Sequence, residues 1–383
     1  MLTSNKRIIQ ISEPSTDNEE LKALISPLST GWLTQGPNVK KFEEEFALKH
    51  KVDYAFATTS CTTALHLALS VIGIKPGDEV IVPAFTWVST ANVVVYCGGK
   101  PVFVDVSPDT YNLDVSALKK VINDRTKVII PVHLFGLCAD IDEIKSSIPK
   151  DILIVEDAAC ASGASYKNKM AGSLGDFGAF SFHPRKIITT GEGGMLTTNI
   201  ENFAKKAEIL RNHGASVSEE VRHEGPKPYL LPDFNSLGFN YRMTDFQGSI
   251  GLAQLRKLSG FVEERRKWAE WYIEALSDVS WIKLPVVPKY CNHSWQAFVV
   301  VIDEEKSPMP RNTIMERLQS FGISTRPGTH AVTNLGYYKN TYDISSYDFP
   351  VASYLEDCSL ALPLHNKMSK EDYEYISKII HSF

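Results

Sequence analysis

Between residues 52 and 157 the chain alternates short apolar runs with amphipathic stretches. YAFA at 54–57, EVIV at 79–82, PVFV at 101–104, KVII at 127–130 and ILIV at 152–155 read as strands. The segments between them, 62–72, 88–97, 114–123 and 140–147, read as helices. A strand apolar at successive positions is covered on both faces, and strands separated by helical segments pair in parallel. The pattern therefore predicts an α/β fold with a largely parallel sheet. Ahead of it, TDNE at 16–19 starts a helix with acidic residues in its first turn, expected to end near 25 because Pro27 would interrupt it. A second amphipathic helix is expected over 39–49. After 199 the chain turns helical through 210, and a polar stretch with Gly and Pro over 213–235 reads as a loop or interface arm. Helix resumes at 244–258 and is expected to pass into another through 275. From about 281 a smaller α+β unit follows, with a strand at 296–302 and helices at 312–321 and 370–381. Two domains are expected, 1–255 and 256–383.

Composition narrows the class. With 383 residues, 43% hydrophobic and 22% charged, the chain is an ordinary globular protein. A net charge of −5 gives no reason to expect nucleic acid or an anionic membrane as partner. No apolar run approaches the roughly 20 residues that span a bilayer. The first twenty residues lack the apolar core of a signal peptide, and six cysteines are scattered without a CxxC pair. Both point to the cytoplasm and away from a disulfide framework or a metal site.

Candidate chemistry centres on SFHPRKIITTGEGG at 181–194, where Lys186 stands between an apolar β-type run at 178–182 and a Gly-rich turn. A lysine beside a buried strand is expected to have its pKa lowered by desolvation, and a neutral amine attacks carbonyls. Pyridoxal 5′-phosphate (PLP) exploits such a lysine as a Schiff base. That cofactor also needs a phosphate cup, a ring-stacking group and an acid for its pyridine nitrogen. Ligands in open α/β sheets lie beyond the carboxyl ends of the strands, and four strand ends carry suitable residues. Thr62 and Thr63 lie in a run of small hydroxyl residues where a helix N-terminus could hold phosphate; the same residues would serve as a plain helix cap. Trp87 could stack on a planar ring, or sit in the core. Asp157 could pair with a pyridinium, or cap a helix. Ser181 could reach the phosphate, or bond to backbone. Phosphate cup, aromatic, acid and lysine occur in that order, with Asp157 29 residues ahead of Lys186.

These motifs carry a resemblance. GWLTQGP at 31–37, TALHLAL at 63–69, GDEVIVPAFTWVSTANVV at 77–94, KPVFVDV at 100–106, VHLFG at 132–136, VEDAA at 155–159, SFHPRKIITTGEGGM at 181–195, RNHGA at 211–215 and GFNYRMTDFQGSIGLAQL at 238–255 resemble the DegT/StrS-type family of sugar-nucleotide aminotransferases. The resemblance implies PLP fold type I, with a large domain built on a mostly parallel seven-stranded sheet and a smaller C-terminal α+β domain. It implies Lys186 as the Schiff-base lysine and proton shuttle, Asp157 on the pyridine nitrogen, Trp87 on the ring, and Thr62, Thr63 and Ser181 on the phosphate. Asn240 is expected to reach the phosphate of a neighbouring subunit, which implies a homodimer with shared sites. Trp32, Gln35, His183, His213, Arg242 and His330 are implied substrate-pocket residues. Two positions depart from the family pattern: Cys61 where Gly is common, and Cys160 where His or Gln is frequent.

The implied reaction transfers the amino group of glutamate, through the cofactor, to a nucleotide-linked keto sugar, releasing 2-oxoglutarate. The GWLTQGP loop resembles the subgroup acting at C4, so a 4-keto-6-deoxyhexose is the expected acceptor, with GDP, dTDP or UDP open. Such products enter O-antigen, lipopolysaccharide and other surface glycans. C3 amination and a regulatory protein without catalysis are the alternatives; the pairing of Lys186 with Asp157 argues against the latter.

Overall fold

The structure is a computed structural model describing residues 8–216, 229 and 231–383. Most of the arm expected over 213–235 lies outside the described residues. Seven strands form the principal sheet: β1 (Tyr54–Thr58), β2 (Glu79–Pro83), β3 (Lys100–Val104), β4 (Thr126–Ile129), β5 (Leu153–Asp157), β6 (Phe177–Ser181) and β7 (Gly194–Thr198). Their order is β1-β7-β6-β5-β4-β2-β3. Only β7 runs against the others, pairing antiparallel with β1 and β6. Six strands therefore deliver their carboxyl ends to one edge. The alternating side chains fill two cores. Phe56, Val80, Val82, Val128, Val155 and Leu196 face one layer, and Ala55, Ala57, Ile81, Ile129, Ile154, Phe180 and Met195 face the other.

The helices of the sheet layer are α1 (Asn18–Ala23), α2 (Ile25–Thr30), α3 (Pro37–His50), α4 (Cys61–Ile72), α5 (Ser89–Tyr96), α6 (Val115–Val121), α7 (Ile141–Ser146) and α8 (Glu201–Arg211). Pro27 does not end helical structure as expected. It occupies the first turn of α2, where a missing N–H costs nothing because first-turn amides have no intrahelical acceptor. The two helices expected over 244–275 are one helix, α9 (Asp245–Ala275), of 31 residues, about 46 Å long. Thr244 and Gln247 cap it reciprocally, and the proposed division at 255/256 falls within it. Beyond α9, the strands β8 (Ile282–Lys283), β9 (Phe298–Ile302) and β10 (Ser359–Leu362) form an antiparallel sheet. It packs with α10 (Arg311–Ser320), α12 (Pro350–Cys358) and α13 (Lys370–Ile380), while α11 (Gly336–Tyr342) sets Tyr338 against Phe103 and Asn92. Among the described residues, no helix is long and apolar enough to cross a membrane.

Two buried histidines give the fold an acid limit. His50 stacks on Phe46 at 4.2 Å, donates from Nδ1 to the Ala171 carbonyl at 3.0 Å, and is lowered by burial to about 4. His293 stacks on Trp295 at 3.9 Å and is lowered by burial to about 3. Both values lie below the ordinary 6.5, so the unfolded chain takes up protons first. Their contribution is full above pH 6.5 and is lost as pH falls toward 4. Urea midpoints are expected to drop over that window, and His50→Gln is expected to flatten the drop.

Candidate active site

At the carboxyl edge, Asp157 ends β5 with only 3% of its surface exposed. The next strand ends at Ser181, and the turn after it carries Lys186. Thr90 Oγ1, on the first turn of α5, donates to Asp157 Oδ2 at 2.8 Å, and the Ala159 amide donates to Oδ1 at 3.2 Å. Burial pushes the Asp157 carboxyl up from the ordinary range; these two bonds pull it back only in part. An ionised carboxylate here thus calls for a cation, which a protonated pyridine nitrogen would supply.

Lys186 is half-buried, and its Nζ donates to Cys160 Sγ at 3.1 Å. The expected lowering of its pKa is not what the structure gives. Burial does favour the neutral amine, but Cys160, Cys61 and Asp157 outweigh it and hold Lys186 above the ordinary lysine value. Desolvation was the one influence legible from the sequence; the opposing groups come from α4 and the β5 loop. Cys61 donates to the Ala179 carbonyl at 3.5 Å, and burial raises its thiol well above the usual value.

Facing Lys186 and Asp157 is the start of α4. Ser60 Oγ accepts from the Thr63 amide at 3.1 Å, and Thr63 Oγ1 accepts from the Ser60 amide at 3.0 Å, so Thr63 serves as a cap. The first-turn amides of Cys61 and Thr62 meet no acceptor among the described residues. Gly194 explains how this helix start comes so close to β7: a Cβ there would lie 2.3 Å from the Ser60 carbonyl carbon. Backbone cannot yield as a flexible side chain would. Gly194→Ala is expected to cost about 3 kcal/mol and to displace the α4 start. Denaturant titration and PLP affinity would both register the change.

Trp87 is no core residue. It is 61% exposed, and its ring lies 5.7 Å from that of His330. A short ribbon pairing Thr86 with His330 brings the two together. Ser181 is buried, accepting a long bond from the His183 amide at 3.5 Å. Burial lowers His183. Trp32 Nε1 donates to the Gln35 carbonyl at 2.9 Å, folding the 31–36 loop on itself, and Gln35 Oε1 is buried with no partner among the described residues. Asn240, His213 and Arg242 form a group around Asn212. Asn240 bridges to Asn212 through backbone, the His213 amide donates to the Phe239 carbonyl at 2.8 Å, and Arg242 donates to Asn212 Oδ1 at 2.6 Å. His213 and Asn240 are exposed, while Arg242 Nε is buried and unpaired among the described residues.

Several residues escaped the sequence reading. Thr90 looks like any hydroxyl in a helix. Glu156 and His133 lie in quoted motifs, but their partnership is tertiary. Glu156 accepts from His133 Nε2 at 2.8 Å and from the amides of Gly172, Leu174 and Gly175 at 2.8, 2.7 and 2.6 Å. His133 Nδ1 accepts from the Ala139 amide at 3.0 Å, which puts the proton on Nε2. The His133 amide in turn donates to the Asp157 carbonyl at 3.0 Å, so this network fixes the strand end that presents Asp157. Gln296 Nε2 donates to the Arg185 carbonyl at 3.0 Å, tying the Lys186 turn to the small unit.

A buried carboxylate short of a cation, an amine across from it and a helix start with free amides make a donor set that fits PLP. The chain matches the DegT/DnrJ/EryC1/StrS aminotransferase family over residues 14–381 and belongs to it. It is 38% identical to GDP-perosamine synthase of Caulobacter vibrioides, covering 96% of each chain. It is 35% identical to the spore coat polysaccharide biosynthesis protein SpsC of Bacillus subtilis, covering 99% of this chain and 98% of that one. The candidate sugar aminotransferase Spr1654 of Streptococcus pneumoniae, solved in its PLP form, superimposes with a TM-score of 0.90 at 30% identity, covering 98% of each chain. The protein is a sugar aminotransferase with PLP as cofactor and the fold of this family.

Proposed function

We propose that the enzyme moves an amino group from glutamate to the C4 keto group of a nucleotide-linked 4-keto-6-deoxyhexose, supplying a 4-amino sugar for surface polysaccharide. The likeness to a GDP-perosamine synthase supports this reading, together with the GWLTQGP loop that carries Trp32 and Gln35. When bound, PLP supplies an aldehyde for the amine and an electron sink for the carbanion. Lys186 would hold the cofactor, and its amine would serve as the general acid–base that moves a proton at the substrate carbon. Asp157, which makes no ion pair among the described residues, would keep the pyridine nitrogen protonated. The amides of Cys61 and Thr62, the hydroxyls of Thr62, Thr63 and Ser181, and the α4 dipole hold the phosphate. Trp87, with His330 beside it, would stack on the cofactor ring. His183, His213, Trp32, Gln35 and Arg242 are assigned to the sugar-nucleotide side.

We also propose a homodimer with shared sites. Asn240 is exposed, and so are Leu231, Phe234 and Leu237 a few residues before it in the chain, apolar side chains suited to burial against a second copy. Asn240 would then meet the partner's phosphate. Sedimentation equilibrium tests the dimer.

The catalytic test is spectroscopic. The visible band of the purified enzyme should bleach with glutamate, and one of the GDP-, dTDP- or UDP-linked 4-keto sugars should restore it. Restoration by a 3-keto sugar alone would sink the C4 assignment.

A further inference from the structure

Residues 330–334 carry the small unit onto the carboxyl edge of the principal sheet. His330 pairs with Thr86 and Ala331 with Phe85, and the Val332 amide donates to the Ala84 carbonyl at 2.8 Å. One strand of this ribbon runs straight into Trp87. On that strand Thr86 Oγ1 lies 3.2 Å from Thr90 Oγ1, the donor to Asp157. A ribbon of two residue pairs is marginal on its own, and Trp87 is too exposed for core packing to fix it. The other strand is held by Glu356, in the last turn of α12. Its Oε1 accepts from the Ala331 amide at 3.1 Å, and its Oε2 accepts from Asn334 Nδ2 at 2.8 Å. The same carboxylate lies 3.7 Å from His330 Nδ1. The sheet anchors α12 in turn. Asp105, just past the end of β3, accepts from the Val351 amide at 3.0 Å and the Ala352 amide at 2.8 Å.

We propose that Glu356 is a positioning residue for the cofactor ring: it fixes the His330–Ala331 strand and, through that strand, the place of Trp87. A carboxylate is a stronger acceptor for an N–H than a neutral group is, and here one carboxylate holds two donors of one short segment. With Asp105 at the start of α12 and Glu356 at its end, the helix braces the ribbon against the end of β3. The brace reaches Trp87 by two routes, the pairing of His330 with Thr86 and the contact of the His330 and Trp87 rings at 5.7 Å. Without the carboxylate, the Ala331 amide and the Asn334 side chain lose these acceptors, and the ribbon is free to shift with Trp87 at its end. The inference rests on Trp87 being the residue that stacks on the cofactor.

The test is a double-mutant cycle on the full-length protein. PLP is titrated into cofactor-free wild type, Glu356→Ala, Trp87→Ala and the double variant, and the circular dichroism of the bound cofactor is recorded in its visible band. Glu356→Ala is expected to weaken PLP binding about tenfold, the upper end of what an aromatic stacking contact contributes, and to diminish the dichroic band. In the Trp87→Ala background the same change should cost less than about twofold, since residues acting through one another are not additive. Glu356→Gln keeps an acceptor for the Ala331 amide, and the Asn334 amide can turn to present its oxygen, so affinity and band should stay near wild type. Wild-type affinity and dichroism in Glu356→Ala would overturn the inference. So would an equal tenfold loss with and without Trp87, which is what a merely structural role predicts. A glutamine variant as weak as the alanine variant would also overturn it, because the retained acceptor would then count for nothing. If Glu356→Ala does not fold, Glu356→Asp, whose carboxylate is drawn back by one methylene, decides the matter: a diminished band upholds the inference and an unchanged one overturns it. If Trp87→Ala alone binds PLP as wild type does, the stacking assignment falls and the inference with it.

Discussion

Lys186→Ala is expected to abolish amino transfer, by a factor of at least about 10⁴, while the chain stays folded. A positioned general acid–base is worth up to about 10⁴, and this substitution also removes the covalent hold on the cofactor. The lysine stands in a turn after β6, half-buried, and the described bond of its amine is the one to Cys160. Truncation therefore breaks no network that the sheet depends on. Two readings check the result. The variant should lack the visible band that survives dialysis in wild type, and single-turnover mixing with glutamate should show no proton exchange at the substrate α-carbon. Lys186→Arg should be equally inactive, since a guanidinium keeps the charge but is never a free amine near neutral pH. A Lys186→Ala enzyme with a tenth of wild-type turnover would move the chemistry to another residue.

Asp157→Asn is expected to act in opposite directions on activity and on stability. Amino transfer should fall by about 10²–10³, the range seen when one preorganised electrostatic partner is removed. Stability without cofactor should rise. Burial lifts the Asp157 carboxyl above its ordinary value, so the folded state prefers the protonated acid. Below the ordinary value of 3.8 there is no penalty. As pH rises through it, the unfolded chain loses its proton first, and the folded state bears a cost that is full once the raised folded value is passed. An amide cannot ionise, so that cost disappears at neutral pH. The neighbourhood can adapt, because Thr90 Oγ1 lies 3.2 Å from Thr86 Oγ1 and can turn toward it. Thermal melts without PLP should therefore run higher for Asp157→Asn than for wild type, and added PLP should raise the variant less. A variant that melts lower without cofactor would mean that Asp157 stabilises the fold rather than straining it.

The sheet was legible in the chain where its signal is local. Five strands are apolar runs, and each turned out where those runs stand. β7 was not read, because its Gly194, Thr197 and Thr198 do not form such a run and its identity comes from pairing with β1 and β6. The break expected within α9 after residue 258 falls next to Gly260. That glycine faces open space and costs the helix only about 1 kcal/mol, too little to end it against the packing along its length. In the site, Lys186 and Asp157 were legible because a charged residue next to an apolar strand is conspicuous. Thr90 and Glu156 were not, since each gains its role only when another segment arrives beside it. The direction of the lysine's pKa failed for the same reason: burial can be inferred from a run of residues, but the charges across the cleft cannot.

The place of β7 also sets a timetable for making the protein. Tyr54 pairs with Thr198, and Thr58 with Gly194, so β1 emerges from the ribosome long before its neighbour. At roughly 5–20 residues per second the wait is on the order of ten seconds or more. Through that interval Ala55, Phe56 and Ala57 sit on an unpaired apolar strand, which is a site for holdase chaperones and for mispairing between nascent chains. The same strand insertion that presses the α4 start against the β7 glycine thus postpones closure of the sheet until about half the chain has been synthesised.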